Sequence, residues 1–67
     1  MNDDDVNLHL GRRIRRRRRI LGLTQAQLGG ICGVGYQQIQ KYETADSRIF
    51  AAQLWRLAEA LEMETTA

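Results

Sequence analysis

Apolar residues recur along this chain at the spacings of helices and nowhere alternate as strands do. Leu10 and Ile14 stand four apart in the stretch 7–21. Leu28, Ile31 and Cys32 mark a second stripe, and Ile39 and Tyr42 a third. Leu54, Leu57, Ala58 and Leu61 repeat at the spacing of a buried helix face. The chain has no proline, so glycine and capping residues supply its punctuation. Asn7, or Asp5 just before it, is the predicted cap of a first helix running to about Leu21, with Gly22 as its stop. Thr24-Gln25-Ala26-Gln27 is a capping box that opens a second helix, ended by Gly33. After the turn Gly33-Val34-Gly35 a third helix is expected over about 36–43. A polar loop follows from Thr44 to Arg48, then a fourth helix over about 51–62. Residues 1–6 read as an acidic flexible arm, 7–63 as one folded domain and 64–67 as a tail. The expected fold is all-α, a compact four-helix bundle with a truncated five-helix bundle as its variant.

Two positions conflict with simple helix preferences. Gly29-Gly30 lies inside the second helix, where each glycine costs roughly 0.8–1 kcal/mol relative to alanine. Close approach of the third helix's backbone at 29 is the expected compensation. In the first helix, a step of four from Ile14 reaches Arg18 and a step of seven from Leu10 reaches Arg17. An arginine at the inner edge of the apolar stripe needs an acidic partner, and Glu43, at the end of the third helix, is the candidate. Spacing alone favours neither Arg17 nor Arg18.

Composition narrows the function. A chain of 67 residues buries about 60% of its unfolded surface, enough for one small core. It leaves no room for a separate effector domain, so as a complete protein it would be a module with one job. One cysteine and one histidine give neither a disulfide framework nor a metal site, and no metal or cofactor is expected. Cys32 reads as packing and His9 as surface. A chain that stands on packing alone suits a reducing cytoplasm. No apolar run approaches the roughly 18 residues of a membrane span, and no signal peptide opens the chain. The net charge of +2 conceals an uneven layout. Asp3, Asp4 and Asp5 precede seven arginines between 12 and 19, and Glu59, Glu62 and Glu64 follow near the far end. A basic block of this kind suits a phosphate backbone or an anionic membrane surface. Ser47, His9 and Cys32 offer no spaced nucleophile and base, so no enzyme activity is expected.

The stretch Thr24–Glu43 describes two short helices joined by a glycine-containing turn, a helix-turn-helix. Gln25 starts the first of them, Leu28 points inward, and Gly29 is the small residue at the crossing. Gly33 permits a left-handed turn, Val34 plugs the corner, and Ile39 and Tyr42 form the inner face of the second. With these residues in place, the chain from about Leu8 to Met63 resembles the Cro/phage-repressor (Xre-like) family of λ-repressor-like DNA-binding domains. The run Gly35-Tyr36-Gln37-Gln38-Ile39-Gln40-Lys41-Tyr42-Glu43, with Arg48 downstream, is similar to regulators common in α-proteobacteria. The resemblance selects Arg18 as the partner of Glu43. The family generally has Ser or Thr where Gly35 stands and Gly where Ala45 stands, so a side-chain cap and a permissive loop residue are both missing here.

The resemblance implies a transcriptional regulator, a repressor acting as a homodimer on a pseudo-palindromic double-stranded operator in the cytoplasm, at the nucleoid. The third helix would lie in the major groove. With Ile39 and Tyr42 turned inward, Tyr36, Gln37, Gln40 and Lys41 are the candidate base readers. Glutamine pairs with adenine N6/N7, and lysine reaches guanine O6/N7. Thr24 and Gln25 at the start of the second helix are assigned to phosphate, using the positive end of the helix dipole. Gly35, Gln38 and Thr44 are assigned to phosphate beside them, and Arg48 by family resemblance. Trp55 falls off the apolar stripe of the fourth helix and is either a lid or, as the family's habit of dimerising suggests, a dimer contact. No small-molecule ligand is expected. The competing reading is a polybasic module for protein or anionic-lipid surfaces without sequence-specific DNA binding. Against it, the apolar positions of the first helix are needed inside.

Overall fold

The computed structural model describes residues 2–63, and the tail expected at 64–67 lies outside them. Four helices follow one another: α1 (Asp3–Ile20), α2 (Gln25–Cys32), α3 (Tyr36–Glu43) and α4 (Ala51–Leu61), with no strand among the described residues. Ile14, Leu28, Cys32, Ile39, Tyr42, Leu57 and Leu61 form one buried cluster, so every helix contributes to the same core. Leu23, Val34, Ile49, Ala60 and Met63 close over it. No helix among the described residues is long and apolar enough to cross a membrane.

The second, third and fourth helices lie close to their expected bounds, but the first starts earlier. Residues 3–6 are helical rather than a flexible arm, and the cap is Asn2 rather than Asn7 or Asp5. The Asn2 Oδ1 accepts from the Asp5 backbone N–H at 2.9 Å. The physical reason is the charge layout itself. Asp3, Asp4 and Asp5 occupy the first turn and Arg17, Arg18 and Arg19 the last, so both ends oppose the helix dipole. Acidity that looks like disorder in the sequence becomes helix-stabilising once it precedes a long helix.

Two stripe residues also differ from expectation. Ile31 is 61% exposed, because the buried face of α2 is Leu28, Gly29 and Cys32 and the neighbouring position lies roughly 100° further round. Leu54 is only half-buried, while Leu57, Ala58 and Leu61 are fully inside. A Cβ on Gly29 would lie 2.5 Å from the Val34 carbonyl oxygen, so the close neighbour is the turn leading into α3 rather than α3 itself. Gly11, unremarked in the sequence, is equally constrained. A Cβ there would press on the Tyr42 carbonyl and lie 2.8 Å from that of Glu43, so α1 meets the end of α3 backbone to backbone.

The helices end alike. Each is followed by a left-handed residue: Gly22 (φ 72°), Gly33 (φ 74°), Ala45 (φ 62°) and Glu62 (φ 56°). The next N–H donates five residues back, from Leu23 to Arg18, Val34 to Gly29, Asp46 to Lys41 and Met63 to Ala58, at 2.8–3.0 Å. These are Schellman closures, which satisfy carbonyls left free at a helix end. Ala45 adopts the conformation a glycine would favour, so its loop forms despite the missing glycine.

Candidate nucleic-acid interface

The α2–α3 unit is defined by its ends. Thr24 Oγ1 accepts from the Gln27 N–H at 3.0 Å, and Gln27 Oε1 accepts from the Thr24 N–H at 2.8 Å, which completes the capping box. Thr24 thereby commits its backbone N–H and a hydroxyl lone pair to its own helix, while its O–H proton remains free to donate. The N–H groups of Gln25 and Ala26 remain at the head of α2, ahead of its internal ladder. Gly35 begins α3 with no side-chain cap. The turn between them is shut by Val34, whose N–H donates to Gly29 at 2.9 Å.

From behind, α3 is anchored by Ile39 and Tyr42, both buried. Its other side presents Tyr36, Gln37, Gln40 and Lys41, all exposed. These four are the side chains expected to read bases, and they share one continuous outward surface by helical position. Gln38 is half-buried and donates its Nε2 to Ser47 Oγ at 3.2 Å, which ties α3 to the following loop. In that loop the Thr44 hydroxyl has two nearby acceptors at 3.0 Å, the Gln40 carbonyl and the Asp46 carboxylate. Its single proton serves one of them at a time.

Behind this surface lies a charged clasp. Arg18 Nε donates to Glu43 Oε2 at 2.6 Å and Nη2 to Oε1 at 3.1 Å, a bidentate pair whose side chains are 12% and 3% exposed. Arg18 Nη1 also donates to the Leu23 carbonyl at 2.8 Å, and Gln25 Nε2 to Glu43 Oε1 at 3.3 Å. Arg18 therefore ties α1 to the turn before α2 and to the end of α3, and Gln25 adds the start of α2 through Glu43. The hydrogen bond to Glu43 raises the Arg18 pKa above its ordinary value against the opposing effect of burial, so the guanidinium stays charged. Arg17, the alternative partner, turns to the other side. Its Nε and Nη2 both donate to the Leu61 carbonyl, at 3.1 and 3.0 Å. Cys32 sits in the core, where burial pushes its thiol pKa up despite the nearby charge of Arg56.

Gln25, Gln40 and Thr44 line one open groove together with Arg15 and the Arg18–Glu43 pair. Arg48 is not part of it. It is exposed and borders a separate groove with Asp3, Val6, Asn7 and Phe50. Trp55 is 60% exposed on α4. Sequence reasoning missed Gly11 and the double use of Gln25, whose amide is tethered to Glu43. A glycine within a helix, three residues before an apolar core position and seven before Arg18, was the available signal for Gly11. Nothing in the sequence announces the Gln25 tether, because it follows from where Glu43 is held.

Residues 9–67 match the model of a family described as a helix-turn-helix domain. The chain is 47% identical over 58 residues to an uncharacterized HTH-type transcriptional regulator of Sinorhizobium fredii, covering 87% of this chain and 41% of that protein. It is 48% identical over 56 residues to an uncharacterized transcriptional regulator in the ATPase CF(0) region of Rhodospirillum rubrum, covering 84% and 52%. The chain thus spans about half the length of these relatives or less. Among solved structures it is similar to the P22 c2 repressor, crystallised with a synthetic operator, with a TM-score of 0.79 at 34% identity over 82% of this chain and 83% of that one. It is also similar to the restriction-modification controller protein C.AhdI of Aeromonas hydrophila, with a TM-score of 0.83 at 25% identity over 90% and 91%.

Proposed function

The chain belongs to the helix-turn-helix domain family, and on that premise we propose that it binds double-stranded DNA in a sequence-specific way and regulates transcription, as a repressor. The observation that carries this reading is the two-sided build of α3, with Ile39 and Tyr42 held in the core and Tyr36, Gln37, Gln40 and Lys41 outside. The likeness to a repressor crystallised with its operator supports it. In the proposed complex α3 enters the major groove, Gln37 and Gln40 pair with adenine edges, Lys41 reaches guanine, and Tyr36 packs on a thymine methyl. The N–H groups at the head of α2, with Thr24 and Gln25 beside them, face one phosphate. Gly35, Gln38, Thr44 and Arg48 face others, with Gln38 and Thr44 first exchanging the partners they hold within the chain. A homodimer with Trp55 at its contact would set two half-sites about one helical turn, 34–36 Å, apart on a pseudo-palindromic operator. Such a regulator works in the cytoplasm, at the nucleoid.

In vitro selection from random duplexes tests the reading, because it reports base preference, palindromy and spacing together. On the selected operator, Gln37→Ala should cost about 1–3 kcal/mol and relax preference at one base pair. Arg48→Ala should weaken all sequences alike. An equal loss on every sequence for Gln37→Ala would remove that residue as a reader. A selection that enriches no sequence would remove the reading altogether.

A further inference from the structure

The outward arginines of α1 have no part in the reading above. Arg18 is taken by Glu43 and Arg17 by the end of α4. Arg12, Arg15, Arg16 and Arg19 form no ion pair among the described residues, and together they line an open groove of about 300 Å³. They stand three and four apart, the spacing at which like charges on a helix repel by roughly 0.2–0.5 kcal/mol per pair. A face that needed only to be soluble would mix signs; this one carries a standing repulsion that a row of negative charges would relieve. Its position identifies the row. Arg15 also borders the groove lined by Gln25, Gln40 and Thr44, so the ridge runs on from the candidate DNA face without a break.

We propose that Arg12, Arg15 and Arg19, with Arg16 beside them, clamp the phosphate backbone of the duplex that flanks the half-site read by α3. This rests on the reading of α3 as the helix in the major groove. From Arg12 to Arg19 the ridge is roughly 10 Å long, which at about 3.4 Å of duplex axis per phosphate of one strand covers the axial span of about three phosphates. A membrane surface fits less well. A helix lying on lipid turns a continuous apolar face outward, whereas Ile14 and Gly11 are buried and the free face of α1 between 12 and 19 is arginine, with Leu8 and Ile20 exposed only singly at its ends. The contact would add affinity without sequence preference, because phosphates carry no base identity.

The test is a salt titration on two duplexes, the selected operator at minimal length and the same operator extended by about one helical turn on each side. The chain itself is compared with Arg12→Gln/Arg15→Gln/Arg19→Gln. Each neutralised phosphate contributes about 0.9 to the slope of log affinity against log salt, so the triple variant should lose about two to three from that slope. Its weakening between about 50 and 200 mM salt should shrink roughly 40-fold, and its preference for the extended duplex should vanish. The ratio of operator to scrambled sequence should not change. Arg→Lys at the three positions should keep the slope. Arg15→Gln alone should remove about one from it, which serves if the triple variant melts early by circular dichroism. An unchanged slope and length dependence in the variants would overturn the proposal. So would loss of binding only to vesicles of phosphatidylcholine and phosphatidylserine at roughly two to one. Failure of the α3 reading looks different: the chain would then not distinguish operator from scrambled duplex at any salt. If it bound neither duplex, both proposals would fall.

Discussion

α1 is fixed to the rest of the molecule along two seams, and they are built in different ways. Against α3, backbone meets backbone at Gly11, and the Arg18 fork grips a carboxylate that is almost wholly buried. Against α4, contact is made by long side chains. Arg17 reaches the Leu61 carbonyl, and Leu10, Ile14, Leu54 and Met63 meet around a residual void of about 30 Å³. Moving α3 at the first seam means separating a buried ion pair and parting two backbones. The second can relax by rotamer changes alone. Rigidity is concentrated where the arginine face of α1 is registered against the outward face of α3. A domain that uses both on one rigid ligand needs that registration, whereas the α4 side has only to keep the core dry.

The asymmetry can be broken most sharply at Arg18. Replacing it with Met leaves Glu43 buried with only the Gln25 amide for company, and removing one partner of a buried pair typically costs about 3–5 kcal/mol. A domain of this size is stable by only about 3–10 kcal/mol, so Arg18→Met should shift urea denaturation strongly or abolish folding. Arg18→Met/Glu43→Leu should recover much of the loss, because it leaves no orphaned charge. Full stability in the single variant would show that the pair is ornamental. The pair's own pH response lies far from neutrality on the arginine side. A raised pKa means its contribution persists below the ordinary guanidinium value and is lost only as pH climbs through the higher folded one.

The same truncation one residue earlier measures the other seam. Arg17→Met removes two charge-assisted hydrogen bonds to one carbonyl at the end of α4 and strands no buried charge. About 1–2 kcal/mol is expected by the same urea titration. Losses of equal size at 17 and 18 would contradict the difference between the seams.

These neighbouring arginines also show what could be read from the chain alone. The α2–α3 unit was legible because its signals are local: a capping box, a glycine at the left-handed turn, and inward positions three apart at Ile39 and Tyr42. The need for an acid beside Arg17 or Arg18 was legible from periodicity, but choosing between them took family resemblance. The two differ by about 100° around α1, and spacing does not say which side faces α3. The early start of α1 was lost because Asp3–Asp5 carry no apolar stripe, and only their position ahead of a long helix makes them stabilising. Ile31 was misplaced for the reverse reason, since apolarity is a weak guide where glycine forms the contact. The candidate readers on α3 came out as exposed side chains in a row. The tethers of Gln25, Gln38 and Thr44 are products of tertiary placement that no local pattern encodes.

The smallest effects are expected where the helices of the two seams end. α3 closes through Ala45 at φ 62° and α4 through Glu62 at φ 56°. A left-handed conformation costs an L-residue about 1–2 kcal/mol, and glycine returns roughly 0.4–1 kcal/mol of that through its freer unfolded chain. Ala45→Gly should therefore stabilise by about 0.5–1 kcal/mol, a rise of roughly 2–8 °C in Tm for a domain this small. Ala45 lies two residues beyond Glu43, whose backbone meets Gly11, so its conformation has little room to relax before substitution. Glu62 closes the helix whose packing against α1 is looser, and it can ease part of its cost by shifting with α4. Glu62→Gly should gain less than Ala45→Gly in the same thermal melts. A larger gain at 62 than at 45 would mean that the α4 seam is the stiffer of the two, and the ordering drawn from Gly11 and Arg18 would have to be reversed.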